Sequence, residues 1–246
     1  MLRHDHMIDT LTREEIDARL ADADSRVALI QAGAEAGVAE AQAVLGQMLL
    51  DGAELPRNPA AAFEWFNRAA AQHHVMALNM VGRCYDLGWG IAIDKARAVA
   101  CFRAAADAGL VEAMYNYATA LALGEGAAQD RAAALALYRQ AADAGYAKAI
   151  NHVGSFHEDG WATPRDMAAA ADCYAKAAES GDFRGCFNHA RMLIAGGQID
   201  DALHWLARSS QTATPAFISK ACDWLATCAD ERVRRDGPRA MRGTPC

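Results

Sequence analysis

The sequence predicts an all-α fold, an α-solenoid of stacked antiparallel helix pairs in a right-handed superhelix with capping helices at its ends. Two observations support this prediction. The chain of 246 residues is rich in alanine and only 7% aromatic, which favours helices that approach one another closely. Residues 36 positions apart also match along most of the chain, a period typical of stacked helical repeats. Four rows carry the period: Gly37, His73, Gly109, Gly145 and Gly181; Gly46, Gly82, Ala118, Gly154 and Ala190; Gly52, Gly88, Gly124, Gly160 and Gly196; Asn58, Asp94, Asp130 and Asp166.

One repeat, residues 75–109, shows how each unit is built. The spacing of its apolar residues predicts an amphipathic first helix. Gly82 lies inside that helix, where we expect a crossing helix that leaves no room for a side chain. Gly88 ends the first helix, Asp94 caps the second, and Gly109 ends the second. Rows of large residues on the second helices predict core packing between repeats.

The same signals divide the chain into four segments. Residues 1–25 form an N-terminal segment with a capping helix, which a capping box at Thr12–Glu15 opens. Residues 26–209 hold the repeats. Residues 210–232 form a C-terminal capping helix that starts at Thr214 and Pro215. Residues 233–246 are rich in arginine and have little to bury, so we expect a disordered tail.

Charge and composition exclude several classes of function. The net charge is −7, and residues 232–246 hold five arginines against one aspartate, so the rest of the chain is more acidic still. An acidic body does not favour nucleic-acid binding. No apolar run is long enough for a membrane span or a secretory signal. Seven cysteines without a common spacing favour free thiols and a cytoplasmic protein.

No motif for catalysis, nucleotide binding or metal binding occurs. His152 and His157 are five positions apart and cannot share a helix face. Cys186 and His189 are three apart, but no third ligand lies at helical spacing from them. The sequence therefore predicts a protein that is not an enzyme and has no metal site and no cofactor.

The repeats resemble the Sel1-like repeat, a relative of the tetratricopeptide repeat. The run AFEWFNRAAAQHHVMALNMVGRCYDLGWGIAIDKARA (62–98) carries the resemblance, which extends over residues 26–209. It implies a bacterial-type adaptor or scaffold that binds a protein or peptide, with the first helix of each repeat lining a concave groove. In the repeat register the lining residues are Asn79, Arg83, Asp86, Tyr115, Thr119, Asn151, Ser155, Glu158, Phe187 and Arg191.

Two questions stay open on the sequence. Trp89 and Trp161 follow the loop glycine two repeats apart, and they either cover the edge of a neighbouring repeat or form a binding edge of their own. The alternative functions are penicillin binding or hydrolase activity, as in the cysteine-rich branch of the family, and a stress regulator that holds a metal through Cys and His. The partner, the pathway and the oligomeric state are not encoded in any motif.

Overall fold

The computed structural model describes residues 12–243, and within that range it is all-helical, with fourteen helices and no strand. The chain divides into two compact units, Met1–Gln129 and Asp130–Cys246. The first unit contains α1 (Arg13–Ala21), α2 (Ala23–Glu35), α3 (Ala39–Asp51), α4 (Pro59–Ala70), α5 (Val75–Leu87), α6 (Lys95–Asp107) and α7 (Val111–Leu123). The second contains α8 (Arg131–Asp143), α9 (Ala147–Asp159), α10 (Met167–Glu179), α11 (Phe183–Ala195), α12 (Ile199–Ser210), α13 (Pro215–Ala226) and α14 (Glu231–Met241).

Within each unit, helices that follow one another in the chain pack together, as the 36-residue period predicts. In the first unit α3 packs on α4, α4 on α5, α5 on α6 and α6 on α7. In the second unit α9 packs on α10, α10 on α11 and α11 on α12. The first helices α3, α5, α7 and α9 each end at a glycine in the left-handed conformation. The second helices α4, α6, α8 and α10 each begin at an Asn or Asp whose side chain accepts a backbone N–H of the first turn.

The glycines inside the first helices are required by close approach to an aromatic ring. A Cβ at Gly82 would lie 2.6 Å from the ring of Phe102, and one at Gly154 would lie 2.8 Å from the ring of Tyr174. Both aromatic residues lie on the second helix of the same repeat and are almost fully buried. The expectation that a crossing helix leaves no room at this row is confirmed.

Both ends of the described range carry capping helices. The capping box between Thr12 and Glu15 opens α1, and Thr214 caps α13, where Pro215 occupies the first turn. Residues 1–11 and 244–246, which belong to the predicted N-terminal segment and tail, lie outside the described residues. The last glycine of the loop row departs from the pattern, because Gly196 has a negative φ of −85° and Gly197 takes the positive φ of 76°.

The expectation of a disordered tail from residue 233 is wrong over Val233–Met241, because these residues form most of α14. Helix α14 packs on α12 and α13. Val233, Ala240 and Met241 are buried at helical spacing, and Asp230 caps the helix. Five arginines within a short segment lowered its apparent hydrophobicity and concealed this apolar stripe. The arginines remain largely at the surface, where Arg235 and Arg239 surround Asp236.

Candidate functional site

The ten residues predicted to line a groove lie on the first helices, in the two units separately. Asn79, Arg83 and Asp86 are on α5, and Tyr115 and Thr119 are on α7 of the first unit. Asn151, Ser155 and Glu158 are on α9, and Phe187 and Arg191 are on α11 of the second unit. We call the surface formed by α3, α5 and α7, and its counterpart on α9 and α11, the first-helix face of each unit.

An asparagine pair joins α5 to α7 in the first unit. Asn79 is only 3% exposed, and its Oδ1 accepts a hydrogen bond from Asn116 Nδ2 at 2.9 Å. Asn79, a predicted lining residue, therefore directs its amide at the next first helix rather than at solvent. A hydrogen bond of this kind satisfies a buried amide that would otherwise be costly.

In the first unit, Lys95 joins two carboxylates in a chain of ion pairs. Lys95 Nζ, at the start of α6, lies 2.7 Å from Asp86 Oδ1 and 2.9 Å from Glu125 Oε2. Hydrogen bonds to Asp86 and then to Glu125 raise the pKa of Lys95. The side chain of Asp86 is about one-third exposed, so its carboxylate contacts both Lys95 and solvent.

Arg83 is a half-buried cation of the first unit, and no carboxylate among the described side chains lies within ion-pair distance of it. Its guanidinium lies 4.8 Å from the centre of the Trp89 ring and 3.6 Å from Met80 Sδ. Trp89 packs against the core of the unit, which supports the edge-covering interpretation of that residue. On α7, the Thr119 hydroxyl donates a hydrogen bond to the Tyr115 carbonyl at 2.9 Å, and both side chains are half-buried.

The second unit repeats the asparagine pair. Asn151 is 4% exposed, and its Oδ1 accepts from Asn188 Nδ2 at 2.8 Å. As at Asn79, the amide of Asn151 is directed at the next first helix rather than at solvent. Here the pair extends into a longer network, because Arg191 Nη1 donates to Asn188 Oδ1 at 3.0 Å.

Glu158 anchors that network. Its carboxylate accepts from Arg191 Nη2 at 2.7 Å and from the Tyr174 hydroxyl at 2.6 Å. The Ser155 hydroxyl lies 3.2 Å from the same Tyr174 oxygen. Burial opposes the charge of Glu158, but the hydrogen bonds from Arg191 and Tyr174 outweigh it and lower the pKa of Glu158. Burial, and then the hydrogen bond to Glu158, raise the pKa of Tyr174.

Aromatic residues are used differently in the two units. Phe187, a predicted lining residue, is 9% exposed and contacts the rings of Phe217 and Trp224 on α13, so it is a core residue of the second unit. The capping helix α13 covers Phe187, which is the counterpart on α11 of Tyr115 in the first unit. Trp161 is 39% exposed, packs edge-on against Phe156 and has the Arg131 guanidinium 4.4 Å above its ring.

Sequence reasoning missed the partners that decide which predicted residues are accessible. Asn116 and Asn188 were not selected, although they are 72 positions apart, as are Asn79 and Asn151. A search for matches over two periods would have found both pairs. The same register continues to Ala43 and Gln47 on α3, which lie on the first-helix face of the first unit.

Potential metal ligands and reactive thiols were compared with the chemistry that a metal site or a nucleophile requires. Among the side chains that the structure describes, no three of His, Cys, Asp or Glu come together as a metal site would require. Burial raises the pKa of Cys84 to about 11 and also raises the pKa of Cys186, so these thiols stay protonated. No helix in the described range is both long and apolar enough to cross a membrane.

A comparison with family models identifies the repeats. A model of the Sel1 repeat matches residues 39–74, 75–110, 111–146 and 147–182. Each match begins where a first helix begins, at α3, α5, α7 and α9. A search of curated proteins found no match.

Solved structures share the fold at low sequence identity. A protective antigen of uropathogenic Escherichia coli with an SLR fold is 24% identical, with a TM-score of 0.71 over 93% of this chain. The chain spans 52% of that antigen's length. A Sel1 repeat protein from Oxalobacter formigenes is 22% identical, with a TM-score of 0.68 over 82% of this chain and 86% of its own. An immunity protein from Pseudomonas aeruginosa is 15% identical, with a TM-score of 0.56 over 84% of this chain and 76% of its own.

Proposed function

The chain belongs to the Sel1 repeat family, whose fold commonly mediates protein–protein interaction, and we propose that it is a non-catalytic cytoplasmic adaptor. Its partner is a protein or peptide, which it binds on the first-helix face. The buried members of the predicted row, Asn79, Asn151 and Phe187, hold the helices together. The accessible members Arg83, Tyr115 and Thr119 make the contacts.

The observation that carries this proposal is the state of Arg83. It is a half-buried guanidinium, fixed over Trp89, with no carboxylate among the described residues to neutralise it. An arginine that is held in place but not paired can form a charge-assisted hydrogen bond to a partner at little cost in side-chain entropy. Its counterpart in the second unit, Ser155, lies beside a network in which Arg191 and Glu158 already neutralise each other.

The proposal is tested on a partner captured by crosslinking in the native host and then purified. The double variant Arg83→Ala/Tyr115→Ala should weaken its binding by about 10-fold or more without changing the helical circular dichroism signal. The matched control is Ser155→Ala, which changes the equivalent position in the second unit and should bind normally.

Two other results would redirect the proposal. Normal binding by the double variant, with loss of binding by Trp161→Ala, would assign the function to the loop edge that carries Trp89 and Trp161. Turnover of a substrate that depends on the described residues would contradict the adaptor itself. Protection of paired cysteines in thiol titration of the denatured chain, in place of seven reactive thiols, would contradict the cytoplasmic assignment.

A further inference from the structure

A cavity opens on the first-helix face of the first unit, between α3 and α5. Its volume is about 320 Å³, within the range of sites that bind small groups. It is lined by Glu40 and Ala43 of α3, Phe66 of α4, the α5 cap His74, and Met76 and Met80 of α5. We call this the α3–α5 cavity.

The cavity exists because two positions in the repeat register carry different residues here. Ala43 is the counterpart of Asn79 and Asn151, and Met80 is the counterpart of Asn116 and Asn188. Where α5 meets α7 and where α9 meets α11, a pair of asparagines fills this place with a hydrogen bond. Ala43 has no amide to extend across the gap, so the space between α3 and α5 stays open and apolar.

The walls suit an apolar side chain. Met76 is 41% exposed at the mouth, while Met80 and Phe66 are almost completely buried deeper in. Unbranched methionines adapt to side chains of different shapes and pack well against aromatic rings. An apolar side chain that enters the cavity is removed from water and contacts these walls. This burial of apolar surface is the main source of affinity for such an anchor.

The rim is acidic. Glu40 has a side chain that is 76% exposed, and its Oε2 lies 2.9 Å from His74 Nε2. Because His74 Nδ1 accepts the Ala77 backbone N–H as the cap of α5, Nε2 is the nitrogen that donates to Glu40. This contact orients the carboxylate and leaves its other oxygen open. Helix α3 also carries Asp51 and no basic residue, and residues 1–129 contain 17 Asp and Glu against 10 Arg and Lys.

We propose that the α3–α5 cavity binds a peptide segment of the partner in which a large aliphatic or aromatic side chain stands beside a lysine or arginine. The apolar side chain enters between Met76 and Met80, and the neighbouring cation pairs with Glu40. This inference rests on the proposed function and adds the chemistry of the bound segment. The charge of the first unit selects against acidic segments, since like charges brought together disfavour binding.

The probe is a library of random 12-residue peptides displayed on phage and selected on the full chain. Selected sequences should combine a large apolar residue with an adjacent Lys or Arg. The strongest is then synthesised with a fluorescent label, and its affinity is measured by fluorescence anisotropy. Ala43→Asn/Met80→Asn, which installs the asparagine pair of the other two interfaces, should weaken binding by about 10-fold or more by closing the cavity.

Further variants separate the anchor from the charge. Ala43→Leu fills the cavity with an apolar group and should weaken binding in the same way, so the result does not depend on how the asparagine pair is tolerated. Glu40→Lys should weaken binding by about 2- to 5-fold. It should bind better than the unaltered chain to a peptide in which Glu replaces the Lys or Arg. Thermal unfolding followed by circular dichroism verifies that each variant is folded.

The outcomes distinguish this inference from the proposed function. Selected peptides that bind both cavity-filling variants as tightly as the unaltered chain, but lose affinity for Arg83→Ala/Tyr115→Ala, overturn the cavity and leave the adaptor function standing. Peptides insensitive to all of these variants contradict both. A selection that enriches nothing, or enriches acidic peptides, overturns the stated chemistry of the segment.

Discussion

The two units build the same interface from equivalent residues and use it differently. In both, an asparagine before the core glycine accepts a hydrogen bond from an asparagine 37 positions later. In the second unit the pair is linked through Arg191 to Glu158 and Tyr174, so the polar groups satisfy one another. In the first unit Thr119 stands in place of Arg191, and Arg83 is held by Trp89 instead of a carboxylate.

The same arrangement of helices therefore supports two roles, which are stable helix packing and recognition of a partner. Polar groups that neutralise one another within the unit stabilise helix packing, and they have little left to offer a partner. Charges and cavities left without an internal partner are available for recognition. The first unit holds Arg83 and the α3–α5 cavity, so we expect binding there, whereas the second unit contributes mainly rigidity. Each prediction below tests this contrast.

The largest effect is expected at the core glycines. Gly154→Leu should lower the free energy of unfolding by about 4 kcal/mol and Gly82→Leu by about 2 kcal/mol, because overpacking forces the facing ring to move. Tyr174 opposite Gly154 is held by its hydrogen bond to Glu158, whereas Phe102 opposite Gly82 has no such anchor. Urea unfolding followed by circular dichroism measures both.

The control for that prediction is Ala100→Leu, an exposed position on α6, which should change stability little. Adding Tyr174→Phe to Gly154→Leu should reduce the cost of the glycine change toward that of Gly82→Leu. Equal costs at the two glycines would show that the hydrogen bond of Tyr174 does not restrain the ring.

The second effect is a pH dependence confined to the second unit. His152, the counterpart of Met80, stacks on Tyr138 with ring centres 4.8 Å apart. Burial, and then the charge of Arg184, lower the pKa of His152 from 6.5 to about 4. Between these values the unfolded chain binds a proton that the folded chain does not. The free energy of unfolding should therefore fall by about 3 kcal/mol as the pH drops from 6.5 to 4.

His152→Met installs the residue that the first unit uses and should remove most of this dependence, and the remainder comes from His189, whose pKa is also lowered by burial. Glu158 acts in a lower window, because its pKa in the folded chain lies below its ordinary value of 4.5. The stability that it contributes is complete above that value and is lost as the pH falls further. A His152→Met protein whose stability still falls steeply between pH 6.5 and pH 4.5 would refute the assignment.

The third effect compares the asparagine pairs. Asn151→Ala should cost about 2 kcal/mol and Asn79→Ala about 1 kcal/mol. Loss of Asn151 frees Asn188, which in turn positions Arg191 on Glu158, whereas Asn116 serves Asn79 without such an extension. In an Arg191→Met background the two costs should converge. Equal costs in the unaltered chain would mean that the extended network adds nothing to the pair.

The sequence predicts the elements of this fold far better than its accessible surface. The period, the helix ends at Gly88 and Asp94, and the crossing at Gly82 follow from local backbone rules and could be inferred from one chain. The burial of Asn79 and Phe187 depends on which residue of the next helix, or which capping helix, faces them. That information is carried by pairs of positions 30 to 37 residues apart, which a single row of the register does not display.

Helix α14 and the α3–α5 cavity were missed for related reasons. The apolar stripe of α14 consists of few residues among many arginines, so the composition of the segment predicts disorder. The stripe is recognised as a packing surface only when the facing helices α12 and α13 are known. The cavity follows from what Ala43 and Met80 lack relative to their counterparts. The lack of an asparagine at these two positions predicts a cavity only once the asparagine pairs of the other two interfaces are known.

The smallest effects concern one irregular turn in each unit. His73 replaces the glycine of its row with φ of 63°, and Ala162 replaces the row of Gly90 and Gly126 with φ of 54°. A side chain is strained in this left-handed region, and glycine relieves the strain at some cost in chain entropy. His73→Gly should therefore raise stability by only about 0.5 kcal/mol, since a Cβ at Gly37, Gly109, Gly145 or Gly181 would meet nothing within 4 Å.

Ala162→Gly should raise stability more, by about 1 kcal/mol, because its row is crowded as well as strained. A Cβ at Gly90 would lie 2.2 Å from the Pro59 carbonyl oxygen, and one at Gly126 would lie 2.1 Å from that of Lys95. The loop of the second unit must therefore stand away from the helix start that it would otherwise touch. Differential scanning calorimetry should show a larger rise in Tm for Ala162→Gly than for His73→Gly. The reverse order would mean that the loop at Ala162 has already relaxed by standing away from the helix start, so that little strain is left there for glycine to relieve.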